Sequence, residues 1–456
     1  MNPIGRIAII SLAVLIAPAV PGSTAIAASG PVKGSKDLSA IPPLRPAIVP
    51  SLSIKQAMEE TLMRSPRATS MRLMLGIAKS SRVRATELPN PTAFMDNGYR
   101  AEFTYRYGFL VPVEPVWKLA FRLLAAKNEI KLADLEIAKG LWALRGDIRR
   151  AYNQALVDQE RFYTISRLVE LYRRVVNTAQ KRFGAGEVAR VDVMRAERAL
   201  AEAEVELELA RNSAVQARQV MSVLMGRPYD SSFELPRLRL FKLTATAIDF
   251  SPDYTKNVPV LKDMLDKASA NRLELKIVAQ AIKTNGANLK VAYGNIAPNP
   301  AIGVGSSVVN GPPLTAGSAP PLPQNIFRGY FFQTFVELPI LNVQQGDISM
   351  YRAKIRQLRA EMETQKNIVE SEVVQAHREL VKQRERIKGF QDKLISKAQQ
   401  IALLTQKGYE VGEIDLTSVL VTQESNVQVR NRYLDAIYDY EVAFTNLEQA
   451  IGTTLE

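Results

Sequence analysis

The chain has no cysteine and a single histidine, His377, among its 456 residues. The first absence removes disulfides, thiolate metal sites, cysteine nucleophiles and a lipid-modified N-terminal cysteine. The second removes zinc sites of the usual His/Cys kind. A Ser-His-Asp triad would have to use His377, which sits in a long helical pattern without a partner motif. No catalytic constellation and no cofactor motif stands anywhere in the sequence, so neither an enzyme nor a cofactor is expected. No segment beyond the N-terminus offers about 20 uninterrupted apolar residues, so no transmembrane helix is expected. Blocks of basic residues are missing too, although the net charge is +13. Lys and Arg alternate with Glu, as in RAERALAEAEVELELAR from Arg195 to Arg211. Mixed signs of this kind mark a solvated helix face rather than a nucleic-acid footprint.

What is present begins with an export signal. One positive residue, Arg6, precedes an apolar run from Ile7 to Ala17, and Ala25 and Ala27 supply a small-x-small cleavage pattern. The run is short for a spanning helix, so residues 1–27 read as a secretory signal peptide and the mature chain is expected to start at Ala28. Residues 28–52, rich in Pro, Gly and Ser, read as an extended linker.

Helical patterning begins near Ser53. From about Val116 to Arg182 there is no proline, and Ile137, Leu141, Leu144, Ile148, Ala151 and Ala155 step by four and three. This is a coiled-coil seam. A second seam runs from Val193 through Ala196, Leu200, Ala203, Leu207, Ala210, Ala214, Ala217 and Met221 to Leu224. A third runs through Val373, Ala376, Leu380, Ile387, Phe390, Leu394 and Ile401, and a fourth helix is expected from about Glu413 to Ile451.

Two stretches punctuate these helices. QKRFGAGEV begins at Gln180 and QKGYEVGEI at Gln406, 226 residues later. Gly186 and Gly412 can adopt the left-handed conformation that ends a helix. Glu187 and Glu413 follow, placed at the positive end of the next helix. Each stretch therefore reads as the tip of a helical hairpin. Gly226 and Gly452 repeat the 226-residue offset, each closing a helix. PNP occurs at Pro89–Pro91 and again at Pro298–Pro300, 209 apart, so the second copy carries an insertion of about 17 residues, found in the Pro/Gly-rich stretch Asn310–Asn325. Two structural repeats follow, residues 53–250 and 251–456.

Between PNP and each long helix the period changes to two. Ala101, Phe103, Tyr105, Tyr107, Phe109 and Val111 share one face, with polar residues between them. In the second copy Ile302, Val304, Ser306 and Val308 alternate with Gly303, Gly305 and Ser307. Tyr330, Phe332, Thr334, Val336 and Leu338 form the matching strand, though Phe331 and Phe335 blur its other face. PTAFMDN is the weakest of the four strands. A half-buried soluble sheet has this pattern; so does a membrane strand with an aromatic outer face, which the export signal favours. Four strands cannot close a membrane barrel, which takes at least about eight. If these strands span a membrane, several chains must contribute.

The duplicated order of PNP, strand hairpin, long helix, tip and seam resembles the TolC family of outer membrane efflux channels. The matching residues are Phe183 with Gly186, Tyr409 with Gly412, Val193 with Met194, Val419 with Leu420, Gly226, Gly452, and Pro115 and Pro339 at the strand-to-helix swerves. The resemblance implies a mainly α fold with a small transmembrane β part. Three chains would share a twelve-stranded barrel in outer membrane lipid, with a long helical tube in the periplasm. A belt domain would include Arg227–Pro259. It also implies a passive conduit for efflux or type I secretion, docking through the tips (Phe183, Gly186, Glu187, Tyr409, Gly412, Glu413) with a periplasmic adaptor and an inner-membrane pump. Members carry acidic residues at a narrow periplasmic entrance. The matching positions here are Thr417, Ser418 and Val421, none acidic, while Asp415 lies nearer the tip and Asp192 is the counterpart of Ser418. His377, aligned with Tyr152, reads as a packing or surface histidine, or as a metal-handling one if three copies converge. The rival reading is a periplasmic coiled-coil adaptor or scaffold without a barrel. It explains tips and seams but not the two strand hairpins.

Overall fold

A computed structural model describes residues 51–99, 103–238, 242–243, 248–249, 258–310 and 326–455. The expected signal peptide, nearly all of the linker, and most of the Asn310–Asn325 insertion lie outside the described residues, as does much of the expected belt.

The chain opens with α1 (Ile54–Arg64) and α2 (Pro66–Thr86), then β1 (Thr92–Tyr99) and β2 (Phe103–Pro112). Two helices follow, α3 (Val116–Gly184) and α4 (Arg190–Met225). A two-residue antiparallel pair, β3 (Lys242–Leu243) and β4 (Ile248–Asp249), separates them from α5 (Leu261–Asn271) and α6 (Leu273–Gly294). Strands β5 (Ala301–Asn310) and β6 (Ile326–Phe335) come next, then α7 (Gln345–Gly389), a π-helical turn (Phe390–Leu394), α8 (Ile395–Val411) and α9 (Leu416–Ile451). Two short helices, two strands and a long helical hairpin thus occur twice in the same order. With 69 residues, α3 is about 100 Å long.

Helix starts follow local chemistry. Ser53 caps α1 in a reciprocal capping box with Gln56, and Asp415 caps α9 by accepting from the Ser418 amide at 3.1 Å. Pro115 occupies the N-cap of α3, where its missing N–H costs nothing. Lys118, buried in the first turn of α3, donates to Asn299 Oδ1 at 2.7 Å, and the Val113 amide donates to the Pro300 carbonyl at 2.7 Å. The second PNP therefore fastens the start of α3 to the sheet.

The four long strands form one antiparallel sheet in the order β1-β2-β5-β6. PTAFMDN supplies β1. Paired residues share a face, so the register places Met95, Tyr107, Ser306 and Tyr330 together, and likewise Phe109, Val304 and Phe332. Tyr105, Tyr107, Phe109, Val111, Ile302, Val304, Tyr330 and Phe332 are all exposed on it. On the opposite face Phe331 lies 5.9 Å from Phe94, with the Arg106 guanidinium 4.4 Å from its ring. Gly108 and Gly305 stand opposite each other beneath these rings. A Cβ on Gly305 would come within 2.7 Å of Phe331 Cζ, and one on Gly108 within 3.0 Å of Phe94 Cζ. Phe331 breaks the alternation because the glycines leave it a seat.

The helical core follows the seams in α3 and α4, where each seam residue is buried or half-buried. Ile148, Tyr152, Ala155, Met221 and Met225 close one cluster with Leu52, Phe233 and Leu235. A second gathers Val373, Leu380, Ile387, Ile395, Tyr433, Ile437 and Leu447 with Met264. The third seam departs from expectation beyond Phe390. Leu394 and Ile401 are exposed, and Gln391, Ile395 and Ala402 are buried in their place. The π turn adds one residue and rotates the following helix by one position. It is pinned by Gln391, whose amide donates to the Tyr433 hydroxyl at 2.9 Å.

Candidate functional site

Both quoted stretches form helix-to-helix tips. Gly186 has φ +77° and Gly412 φ +89°. The Glu187 amide donates to the Arg182 carbonyl at 2.9 Å, and the Glu413 amide to the Gly408 carbonyl at 2.8 Å. These bonds satisfy carbonyls that the ending helix leaves free. Glu187 and Glu413 thus belong to the closing motif of the preceding helix. The next helices start later than expected, with Ala189 and Asp415 at their N-caps. The acidic group at the start of α9 is therefore Asp415, held below the ordinary carboxylate range by hydrogen bonds from Ser418.

The two tips pack on each other. Val175, Val176 and Ala179 of α3 meet Val193 and Ala196 of α4, Tyr409 of α8, and Leu416 and Val419 of α9. Phe183, Glu187 and Glu413 are exposed, whereas Tyr409 is buried. Tyr409 is thus an internal packing residue and does not present its ring outward. The Arg182 guanidinium lies 5.0 Å from that ring's centre, 3.5 Å from the Glu410 carbonyl, and 3.7 Å from the Glu187 carboxylate. One side chain of the first tip thereby spans to the second. Sequence reasoning passed over Arg182. Its signal was the mismatch within the two stretches, where Arg182 stands opposite Gly408. A Cβ on Gly408 would come within 2.6 Å of Ile414 Cδ1, so glycine there admits Ile414 against the helix.

Thr417, Ser418 and Val421 lie together on the exposed side of α9, opposite buried Leu416, Val419 and Gln423. Ser418 is committed to the cap, its hydroxyl donating to Asp415 Oδ1 at 2.5 Å. Asp192 pairs with Arg195 at 3.1 Å. Thr417 and Val421 border a groove between α4 and α9 that also takes in Tyr172, Glu202, Glu206 and Glu424. Burial, and then these carboxylates, push the Tyr172 phenol up to about 12. Carboxylates therefore do lie near the expected constriction, one to two turns along the helices from it. No cluster of three or more metal-ligating side chains is present among the described residues. His377 Nε2 is occupied at 3.0 Å by the Pro259 carbonyl oxygen.

Comparison with known proteins agrees with this architecture. The sequence model of the family described as "Outer membrane efflux protein" matches residues 62–227 and 264–453. Over 150 residues the chain is 29% identical to the cobalt-zinc-cadmium resistance protein CzcC of Cupriavidus metallidurans. That match spans 32% of this chain and 35% of CzcC. The fold is similar to crystal structures of CusC (TM-score 0.65, 14% identity, 89% of this chain and 93% of that one). It is also similar to the open state of the MtrE outer membrane channel of Neisseria gonorrhoeae (TM-score 0.65, 16% identity, 88% and 89%).

Proposed function

The chain belongs to the outer membrane efflux protein family, and on that premise we propose that it is the outer membrane channel-tunnel of a tripartite efflux or type I secretion system. The observation that carries this is the sheet. It has an apolar, aromatic face exposed along its length, and β1 and β6 have no further strand partner among the described residues. Such edges are stable in a membrane only if they are paired. Three copies of a four-stranded sheet would close a barrel of about twelve strands, within the usual range for outer membrane barrels. The element order written twice supports two structural repeats, each giving one strand hairpin and one helical hairpin. The long helices would then continue the barrel as a periplasmic tube. The paired tips would meet a periplasmic adaptor bound to an inner-membrane pump, the chain itself serving as a passive conduit. The periplasmic scaffold reading leaves the exposed aromatic sheet face without a role.

The test is direct. The protein should leave the outer membrane fraction only with detergent and run as three copies by light scattering. A salt-extractable single copy would overturn the reading. Deletion should sensitise cells to the exported substrates, and the screen should include cobalt, zinc and cadmium, the metals in CzcC's name.

A further inference from the structure

The face of the sheet opposite Tyr107 and Phe109 carries aromatic side chains as well, although the inner faces of membrane barrels are mostly polar. One row crosses all four strands through Phe94, Gly108, Gly305 and Phe331, so two phenylalanines flank two glycines. The rings do not stand up from this row. A Cβ on Gly305 would come within 2.7 Å of Phe331 Cζ, and one on Gly108 within 3.0 Å of Phe94 Cζ. Each ring therefore reclines over the neighbouring glycine. The two ring centres are 5.9 Å apart, and both residues are only half-buried.

Arg106 stands in the adjoining row of the same face, with Asp96, Ser307 and Gly329. Its guanidinium does not pair with Asp96, the register partner on β1. It reaches across β5 to β6, where it lies 4.4 Å from the centre of the Phe331 ring, with Nη2 3.5 Å from Gln333 Oε1. The second distance is at the outer limit of a hydrogen bond. Arg106 enters no ion pair among the described residues and is exposed. Its charge is thus steadied by a ring and left without a carboxylate, and its forked N–H groups remain available to a planar acceptor.

We propose that Phe94, Phe331 and Arg106 form a stacking site on the inner wall of the barrel for planar aromatic anions in transit. The inference rests on the channel reading, which turns this face to the lumen and repeats the site in each of three copies at one height. The ligand is matched in two parts. A flat ring gains by stacking on another π face. A carboxylate or sulfonate is taken by the donor fork of arginine, and arginine rings favour anions in pores. An aliphatic anion satisfies only the second part, so the site discriminates by the ring.

The test records the purified protein in planar bilayers, with naphthalene-2-sulfonate added from the extracellular side and methanesulfonate as the ringless anion. Naphthalenesulfonate should produce resolvable blocks, and methanesulfonate at equal concentration should not. Arg106→Gln leaves both rings over their glycines and should shorten the blocks about tenfold, the scale of one hydrogen bond to a charged group. Phe331→Leu should shorten them comparably, while Phe331→Tyr, which keeps the ring, should retain them. Conductance in potassium chloride alone shows which variants still form channels, and Arg106→Gln with Phe331→Tyr decides the matter if Phe331→Leu does not. Equal block by the two sulfonates, or blocks that Arg106→Gln leaves unchanged, would overturn the site, and the rings would then serve only to cover glycine backbone. If the parent conducts and is not blocked, the site fails and the channel reading stands. If the parent does not conduct, the channel reading fails and the site with it.

Discussion

The Nε2 of His377 donates to the carbonyl oxygen of Pro259 at 3.0 Å, and Tyr152 donates its hydroxyl to the carbonyl oxygen of Leu52 at 2.8 Å. Leu52 and Pro259 each immediately precede the N-cap of a short helix, Ser53 of α1 and Val260 of α5. The chain thus uses one tie twice, with different donors. Tyr152 and His377 are 225 residues apart whereas the tips are 226 apart. The π turn between His377 and the second tip accounts for the extra residue.

From this tie, His377→Ala should cost about 1 kcal/mol, the usual net value of one such hydrogen bond. Thermal unfolding of the detergent-solubilised protein measures it. Export should be unchanged from the parent, because the ring is used in packing. A large selective loss of export with normal stability would give it a transport role.

Glu448 is fully buried and accepts from Arg145 and Arg149 at 3.0 Å each, while its other oxygen accepts from the Leu455 amide at 3.0 Å. Glu448→Ala leaves Arg145 without its carboxylate and Arg149 with Glu441 at 3.5 Å. Breaking a buried pair from one side costs roughly 3–5 kcal/mol. Chemical denaturation should show a loss of this size, and a loss under about 1 kcal/mol would mean that water reaches the cluster.

The two tips should respond unequally to the same substitution. Both glycines have positive φ, so valine at either costs roughly 1–2 kcal/mol of backbone strain. At Gly412 the added Cβ also meets Arg182 Nη2 at 3.1 Å, while at Gly186 nothing lies within 4 Å. Gly412→Val should abolish export in intact oligomers, and Gly186→Val should reduce it less. Export assays alongside native gels decide this, and full export by the double variant would remove the tips from docking.

At the proposed entrance, Thr417, Ser418 and Val421 would offer hydroxyls and a methyl pair, which select ions weakly compared with carboxylate rings. Planar-bilayer recordings should show little block by divalent or trivalent cations from the periplasmic side, and Ser418→Asp should create it. Strong block in the parent would point to Glu424 or Glu206 along the same groove, since Asp192, Asp415 and Glu202 are engaged by Arg195, Ser418 and Arg198.

Glu60 holds Arg227 through two bonds of 2.7 and 2.6 Å, tying α1 to the end of α4, and these bonds lower its pKa. A carboxylate depressed on folding stabilises above its unfolded value and loses that contribution as pH falls through the folded one. The Tm should therefore fall on acidification from about pH 4.3 downward. Glu60→Gln should lower the Tm at neutral pH and flatten this part of the profile.

The sequence by itself determined the long helices, the tips and the outward face of β2, β5 and β6. These rest on local chemistry: period two against period three and four, glycine where φ must be positive, and proline where an N–H is dispensable. It could not supply the rotation after Phe390, because a π turn depends on whether Gln391 finds Tyr433 across a helix interface. Nor could it show that Arg182 reaches Tyr409, or that Tyr409 faces inward. Phe331 looked like noise in a strand pattern until Gly108 and Gly305, nearly 200 residues apart in sequence, were placed side by side beneath it.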